Sequence, residues 1–384
     1  MEIYGYHKIK KEKQMKKIIL LTIFITIYVT FPKFCYAAEN NIAENQKKYG
    51  VDDFISNAQN YTKDINLNDF YKSSISGKFD NNKIFKVIEK SFSQNIKNAV
   101  VGFTGVILIV IIGSFLKSIC ENLGNESISK IAYYVEYILI VTIVMKNFAD
   151  IISEIKDSIE SLSAFSNSLI PLLMTLLIAS GNIASSSALE PILLMIVTIS
   201  SNLVIKVILP LILVSTTISI IANLSKDISI TKISKLLDKG SIFALTTILT
   251  IVISVAGLEG NLTSSLDGTT KKLGKTVATS VPVVGSILGD AVDTISGYTN
   301  IIKKSTGIVG IFVVISICIN PIFKVLSFMI IYYIGEAVAE PIADERIVKI
   351  FGCMGKTYKV MLAIICTVLI SIIIGLGIAI RISS

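Results

Sequence analysis

Two acidic residues within a segment apolar enough to enter a bilayer are the first candidates for chemistry. The stretch 281–297 reads VPVVGSILGDAVDTISG and carries Asp290 and Asp293. On a helix these carboxylates would share a face, as a paired acid or ion site requires. A carboxylate at the bilayer centre costs about 2.5–3.5 kcal/mol, so its presence indicates a function. No histidine or metal-ligand pattern accompanies the pair, which favours polar lining or subunit contacts over catalysis.

The backbone of the same stretch is also unusual, because it contains Pro282, Gly285 and Gly289. Broken or glycine-rich backbone at membrane depth is tolerated only where protein or a water-filled cavity surrounds it. The sequence therefore predicts a re-entrant or buried element that lines a pore or packs against other helices. A loop at the membrane interface is the alternative.

Further candidate pore or packing positions lie where apolar runs are interrupted. Pro171, Pro210 and Pro321 each interrupt such a run, and Glu336 is an acid near the end of the run that contains Pro321. The sequence GCMGKT at Gly352 resembles a phosphate-binding loop, but Ile350 stands where that motif needs its first glycine.

Residue usage argues against an enzyme. The one histidine, His7, lies in a segment predicted to be removed, and the five cysteines are scattered without metal-ligand spacing. We therefore expect no catalytic residues, no metal and no cofactor. Aromatic and basic residues do not alternate as they would for nucleic-acid binding, so no nucleic-acid partner is expected.

Composition predicts an all-α, polytopic integral membrane protein with Pro/Gly-broken or re-entrant segments. The 384 residues are 52% hydrophobic and 17% charged, whereas soluble chains carry about 25% charged residues. The formal net charge of +8 comes from Lys-rich connecting segments. Basic clusters beside spans set orientation and contact anionic lipid.

Three regions are predicted along the chain. Residues 1–37 have a lysine-rich start, an apolar core and a small-x-small site, as in a signal peptide that begins at Met1 or Met15. An uncleaved anchor is the alternative. Residues 38–98 form a short extracytoplasmic helical segment, and residues 99–384 form the transmembrane domain. Cleavage would leave the N-terminus extracytoplasmic.

Six to eight spans are predicted in the transmembrane domain. Four are clear, and two apolar runs are longer than the roughly 20 residues that one span needs. The clear spans are 99–116, 131–148, 241–256 and 359–380, and the long runs are 189–222 and 306–338.

A possible internal duplication relates residues 131–240 to 242–350. Pro171 and Pro282, like Pro210 and Pro321, are 111 residues apart. Such repeats are typical of transporters, whose sites lie where two broken segments meet. Counting lysines does not decide the topology, because two or three crossings per half distribute them almost equally well.

The motifs at 281–297, 307–321 and 336–346, together with EPIADERI at 340–347, resemble the stage III sporulation protein AE family, and the resemblance covers nearly the whole mature chain. The resemblance implies a membrane subunit of the channel between mother cell and forespore in endospore formation. It implies a location in the mother-cell membrane around the forespore. The implied partners are other membrane subunits, ring-forming proteins and a cytoplasmic ATPase. It implies no catalytic residues.

Three hypotheses follow for the function. The first is a structural or permease-like subunit of this secretion-like channel complex, in which 281–297 and its counterpart near Pro171 line or gate a path. The second is a stand-alone secondary transporter that uses Asp290, Asp293 or Glu336 as ion sites. The third is a non-conducting membrane scaffold.

Overall fold

The computed structural model describes residues 46–62, 65–122, 126–224, 231–279 and 284–381. Side chains are not described within 258–279 and 284–296. All regular elements in the described ranges are helical, which confirms the all-α class.

Two short helices precede a bundle of long ones. Helix α1 spans Val51–Ala58 and α2 spans Leu67–Ser76, with a 3-10 turn at Gln59–Tyr61 between them. The long helices are α3 Asn81–Asn122, α4 Glu126–Ala179, α5 Ile183–Leu203, α6 Leu209–Leu224, α7 Thr231–Thr279, α8 Val284–Ala339 and α9 Glu345–Arg381.

Two of the breaks predicted at prolines do not occur. Helix α4 continues through Pro171, and α8 continues through Pro321. A proline removes one backbone hydrogen bond, and a helix within a bundle tolerates this loss because its neighbours fix its course.

Pro210 does coincide with an irregular turn. A π-helical turn at Val204–Ile208 separates α5 from α6. In a regular helix the Pro210 ring would crowd the carbonyl of Lys206, which lies inside this turn. The wider turn accommodates the proline, so α5 and α6 together make one interrupted run.

The 281–297 stretch is helical where it is described. Gly285, Gly289, Asp290 and Asp293 lie in the first turns of α8, whereas Pro282 lies outside the described residues. The surroundings of these four residues lie outside what the structure describes, so their role in a pore or in packing stays a prediction.

Helix bounds do not repeat at the offset of the possible duplication. The turn at 180–182, between α4 and α5, would correspond to residues 291–293, which lie inside α8. The duplication therefore stays a prediction without support from the helix pattern.

Six described helices or helix pairs are long and apolar enough to cross a membrane, which agrees with a polytopic membrane protein. They are 84–120 in α3, 127–179 in α4, 183–223 across α5 and α6, 232–257 in α7, 297–339 in α8 and 345–381 in α9.

The observed helix ends do not test the boundaries of the three regions that the sequence predicts. Residues 1–37 lie outside the described ranges. Helix α3 runs without interruption through residue 98, so the polar segment and the first span share one helix.

One half of the bundle has an exposed apolar surface of the kind that contacts lipid. On α3 the exposed large apolar side chains extend from Val100 to Ile119, about 28 Å at about 1.5 Å per residue. This length matches the roughly 30 Å hydrocarbon core of a bilayer. On α4 the corresponding exposed residues extend from Ile128 to Leu139. We call this band the apolar belt.

The connections α3–α4, α6–α7 and α8–α9 meet at one end of the belt, called here the lower end. Lys117 Nζ of α3 lies 3.7 Å from Asp344 Oδ2 in the α8–α9 turn. Tyr137 Oη of α4 donates a hydrogen bond to the carbonyl of Ile220 in α6 at 2.6 Å.

Above the belt, α4 has a polar outer surface. Between residues 150 and 168 its exposed positions are Asp150, Ser153, Lys156, Asp157, Glu160, Ala164, Asn167 and Ser168. Its inner face there is apolar except for the buried Ser166, with Ile155, Ile159 and Leu162 completely buried. This amphipathic pattern is typical of a helix between a protein core and water.

Helices α1 and α2 pack against this upper half. The Phe70 ring of α2 stacks on Phe312 of α8 with centroids 4.1 Å apart. Phe54 of α1 and Tyr61 both contact Phe165 of α4 with centroids 5.5 Å apart. The upper end is therefore the end on which the N-terminal helices lie.

Candidate functional site

The larger polar cavity lies at the upper edge of the belt, between α3, α4, α8 and the turn after α1. It encloses about 700 Å³, within the range typical of ligand pockets. Its wall contains five amides, an ion pair and two aromatic rings, from Asn60, Gln94, Asn95, Asn98, Asn320, Glu154, Lys324, Tyr61 and Phe312. We call it the upper cavity.

A hydrogen-bonded network joins three helices in this wall. Asn95 Nδ2 of α3 donates to Asn320 Oδ1 of α8 at 2.9 Å, and Asn320 Nδ2 donates to Glu154 Oε1 of α4 at 2.9 Å. Lys324 of α8 forms an ion pair with the same Glu154 carboxylate. About a quarter of each charged side chain is exposed, so water screens the pair only partly.

A second cavity opens near the lower end, between α6, α7, α8 and α9. It encloses about 330 Å³ and is lined by Glu336, Asp238, three lysines and several hydroxyl groups. The Glu336 carboxylate lies against Gly352 of α9, where a larger side chain would force the carboxylate to shift. We call this space the lower cleft.

Hydroxyl groups fix one wall of the lower cleft. Ser215 Oγ of α6 lies 2.6 Å from Asp238 Oδ1 of α7 and 3.0 Å from Ser234 Oγ. Thr216 Oγ1 lies 3.2 Å from Thr357 Oγ1 of α9. These bonds hold α6 to its neighbours inside the belt, where a buried polar group without a partner would be costly.

A layer of aromatic side chains separates the two cavities. Phe103 of α3 contacts Tyr332 of α8 and Phe351 of α9, with ring centroids 5.0 and 5.3 Å apart. Tyr358 of α9 contacts Tyr332 and Phe328 at 5.4 and 5.7 Å. All five side chains are at most 8% exposed, so the layer is closed.

Two hydroxyls in this layer lack protein partners. The Tyr332 and Tyr358 side chains are fully buried, and neither hydroxyl bonds to any described residue. Leaving such a group unpaired costs about 1–3 kcal/mol. Phenylalanine at either position would avoid this cost, so the presence of the two hydroxyl groups needs an explanation.

Helix α8 contacts all three features along its length. Phe312, Ser316, Asn320 and Lys324 line the upper cavity, and Glu336 lines the lower cleft. Phe328 and Tyr332 of the aromatic layer lie between these groups in the sequence. At about 100° of rotation and about 1.5 Å per residue, Asn320 and Glu336 lie on nearly opposite sides of α8 and about 24 Å apart along its axis, so the two cavities open on different sides of this helix.

The structure thus brings together only part of the predicted site. Glu336 lines the lower cleft, and Pro321 follows Asn320 in the wall of the upper cavity. Pro171 lies in the upper half of α4, and Pro210 lies beside the π turn. Neither proline lines either cavity.

Sequence reasoning missed the residues that complete these cavities. Glu154, Lys324 and Tyr332 were not singled out. Lys324 could have been noticed, because a charge within the apolar run 306–338 is itself a functional signal. Pairing of Glu154 with Lys324 depends on how distant helices pack, which spacing along the chain does not reveal.

Comparison with known proteins gives a consistent result. The family model for stage III sporulation protein AE matches residues 65–383. Stage III sporulation protein AE of Bacillus subtilis (strain 168) is 27% identical over 278 residues, which cover 72% of this chain and 70% of that protein. No solved structure matches the chain.

Proposed function

Because this chain belongs to the stage III sporulation protein AE family, we propose that it is a membrane subunit of the channel complex linking mother cell and forespore. It is a sporulation protein with several membrane-crossing helices. The observation that carries the proposal is the family match, which covers the lower cleft, the aromatic layer and all of the upper cavity except its residues 60–62.

We place the protein in the mother-cell membrane around the forespore, as the family resemblance suggests. Its partners would be other membrane subunits, ring-forming proteins and a cytoplasmic ATPase. Its role would be structural or permease-like rather than enzymatic, because the family is a sporulation membrane family and not a known enzyme class.

We infer one orientation from the predicted signal peptide. Lysines also lie on the upper side, at Lys90, Lys97 and Lys304, so their number alone does not decide the orientation. Other lysines lie beside the short lower-end connections, as the positive-inside rule expects for cytoplasmic loops. They include Lys117, Lys130, Lys232, Lys235, Lys239 and Lys349. With the lower end cytoplasmic, the upper half and the helices α1 and α2 are extracytoplasmic, in agreement with a cleaved signal peptide.

This orientation also suggests where partners bind. The polar upper half would stand in the space between the two membranes, where ring-forming proteins could reach it. The lower end would face the mother-cell cytoplasm and the ATPase.

Co-purification from sporulating cells tests the proposal. A tagged copy that complements a deletion strain is expected to recover the membrane subunits, ring-forming proteins and ATPase. A stand-alone transporter would instead purify without them and would move a solute when reconstituted alone. Recovery of the protein free of these partners, in a strain that sporulates normally, would refute the channel-complex role.

Glycine substitutions at the start of α8 probe packing within the complex. Gly285→Leu and Gly289→Leu are expected to block spore formation while the protein still inserts, because glycine permits close helix approach in membranes. The matched control is Gly105→Leu, since a side chain at Gly105 meets open space in α3. Normal sporulation in both α8 variants would show that this segment makes no close contact.

A further inference from the structure

We propose that the upper cavity is a binding site for a short, uncharged oligosaccharide. It lies at the upper edge of the belt, on the side that we place outside the cytoplasm, so a soluble sugar could reach it without crossing the bilayer. The site goes beyond the channel-complex role and does not depend on it, because this chain alone supplies every lining residue.

One wall of the cavity is fixed in shape before any ligand binds. Asn95, Asn320 and Glu154 come from three different helices and are joined by two hydrogen bonds of 2.9 Å. Asn95 is only 5% exposed, so this wall belongs to the packed interior of the bundle. A wall that is already ordered lowers the entropy that binding costs.

A second wall is held by the side chain of Gln59. Its amide nitrogen donates to the carbonyls of Thr62 at 2.6 Å and Ile65 at 2.9 Å, and its amide oxygen accepts from the backbone N–H of Leu67 at 2.8 Å. These three bonds fix the turn that carries Asn60 beside the cavity. Both walls are therefore built in advance of binding.

Three amide side chains remain available to a ligand. Asn60, Gln94 and Asn98 line the cavity and are exposed, and their side chains make no hydrogen bond to the described part of the chain. An amide both donates and accepts hydrogen bonds, and so does each hydroxyl group of a sugar. Several amides around one cavity therefore match a ligand that carries many hydroxyl groups.

The charges of the cavity favour a neutral ligand. Lys324 and Glu154 form an ion pair with each other, so neither presents a single charge to the ligand. Lys90 is the other charged residue among those that line the cavity, and it is exposed, so water screens its charge.

Aromatic rings suit the apolar surface of a sugar. Phe312 and Tyr61 both line the cavity. Phe312 is held in place by stacking on Phe70 with centroids 4.1 Å apart, and Tyr61 by Phe165 at 5.5 Å. The C–H groups on one face of a sugar ring can pack on such a ring while its hydroxyl groups reach the amides.

The shape and the lining favour a sugar chain over a peptide. From Ile84 to Asn98 the lining residues of α3 extend about 21 Å at about 1.5 Å per residue, which is longer than one sugar ring. An extended peptide is captured by the edge of a β-sheet, and the described part of the chain has no strand. An amphipathic helix needs an apolar groove, whereas five amides interrupt the apolar lining of this cavity.

Saturation-transfer NMR on the full-length protein in nanodiscs tests the site. Nanodiscs replace maltoside detergents, whose sugar headgroups would compete. The probes are maltotriose and triacetylchitotriose, with trialanine as the peptide probe and empty nanodiscs as the baseline. We expect the C–H protons of at least one sugar to receive saturation from the wild-type protein, and trialanine to receive none.

Gln94→Ala and Asn98→Ala are the test variants, because these exposed amides have no side-chain partner in the described part of the chain. Each is expected to weaken sugar binding about fivefold, as the loss of one hydrogen bond does. The matched control is Asn167→Ala, which removes an exposed amide of α4 that does not line the cavity. The control is expected to bind as the wild type does.

Two results would overturn the proposal. The first is saturation of neither sugar above empty nanodiscs, or equal binding by the cavity variants and the control. The second is saturation of trialanine alone, which would assign the cavity to a peptide. Neither result alters the co-purification of partners, so the sugar site and the channel-complex role fail separately.

Discussion

At the scale of single residues, glycines and paired charges determine how closely the helices of the belt approach. Sequence analysis selected Glu336 for its position in an apolar run, and the structure places it in the lower cleft. Asn95 was not predicted, because its partner Asn320 is 225 residues away and the pairing depends on the fold. Spacing along the chain identifies polar residues that are costly to bury in a membrane, but it does not reveal the residues with which they pair.

Gly335 is expected to tolerate no larger residue. A Cβ there would collide with the Phe103 ring, which Tyr332 and Phe351 hold in place. Gly335→Ala should destabilise the protein by about 1–3 kcal/mol, as overpacking of a core does. Gly105→Ala, which meets open space, should change little. Thermal unfolding in detergent checks this, and equal melting temperatures would contradict it.

The ion pair in the upper cavity is expected to contribute more than one at the surface. Lys324→Met leaves the partly buried Glu154 without its cation and should cost about 1–3 kcal/mol. The control pair Lys156–Glu160 lies on the polar outer surface of α4, and both of its side chains are about half exposed. Lys156→Met should cost less than about 0.5 kcal/mol. Unfolding of both variants in the same detergent gives the comparison, and a larger loss at Lys156 would contradict it.

At the scale of elements, the sequence predicts which segments are helical better than where helices end. Runs such as 306–338 were read as broken at Pro321, yet α8 is continuous because the surrounding bundle supports it. Pro210 differs, since a π turn precedes it. The same residue type thus produces two outcomes, and tertiary packing decides between them.

Helices α1 and α2 are expected to be held to the bundle by a few aromatic contacts. Phe70→Ala removes the ring that stacks on Phe312 and should cost about 3–5 kcal/mol of local stability, as other buried phenylalanines do. Limited proteolysis should then cut the N-terminal segment sooner. Phe85→Ala is the control, because that ring is 66% exposed. Identical cleavage rates would show that α1 and α2 are held by other contacts.

At the scale of the whole molecule, the bundle is longer than a bilayer is thick. Helix α4 has 54 residues, about 80 Å, whereas the apolar belt on α3 covers about 28 Å. Sequence analysis assigned 359–380 to a span because it is apolar throughout. In the structure this segment lies in α9, one of the six helices long and apolar enough to cross a membrane, and much of it is buried among the other helices.

The central claim is that the belt lies in lipid while the upper half of α4 stands in water on the extracytoplasmic side. The most direct measurement is labelling of single cysteines, on a cysteine-free background, with a membrane-impermeant maleimide added outside intact non-sporulating cells that express the protein, because the extracytoplasmic side then faces the medium. We predict that Ser153→Cys, Asp157→Cys and Ser168→Cys are labelled, whereas Val135→Cys and Ile138→Cys are protected. Protection at Ser168 with labelling at Ile138 would contradict the account, because it would place the upper half in the membrane and the belt in water.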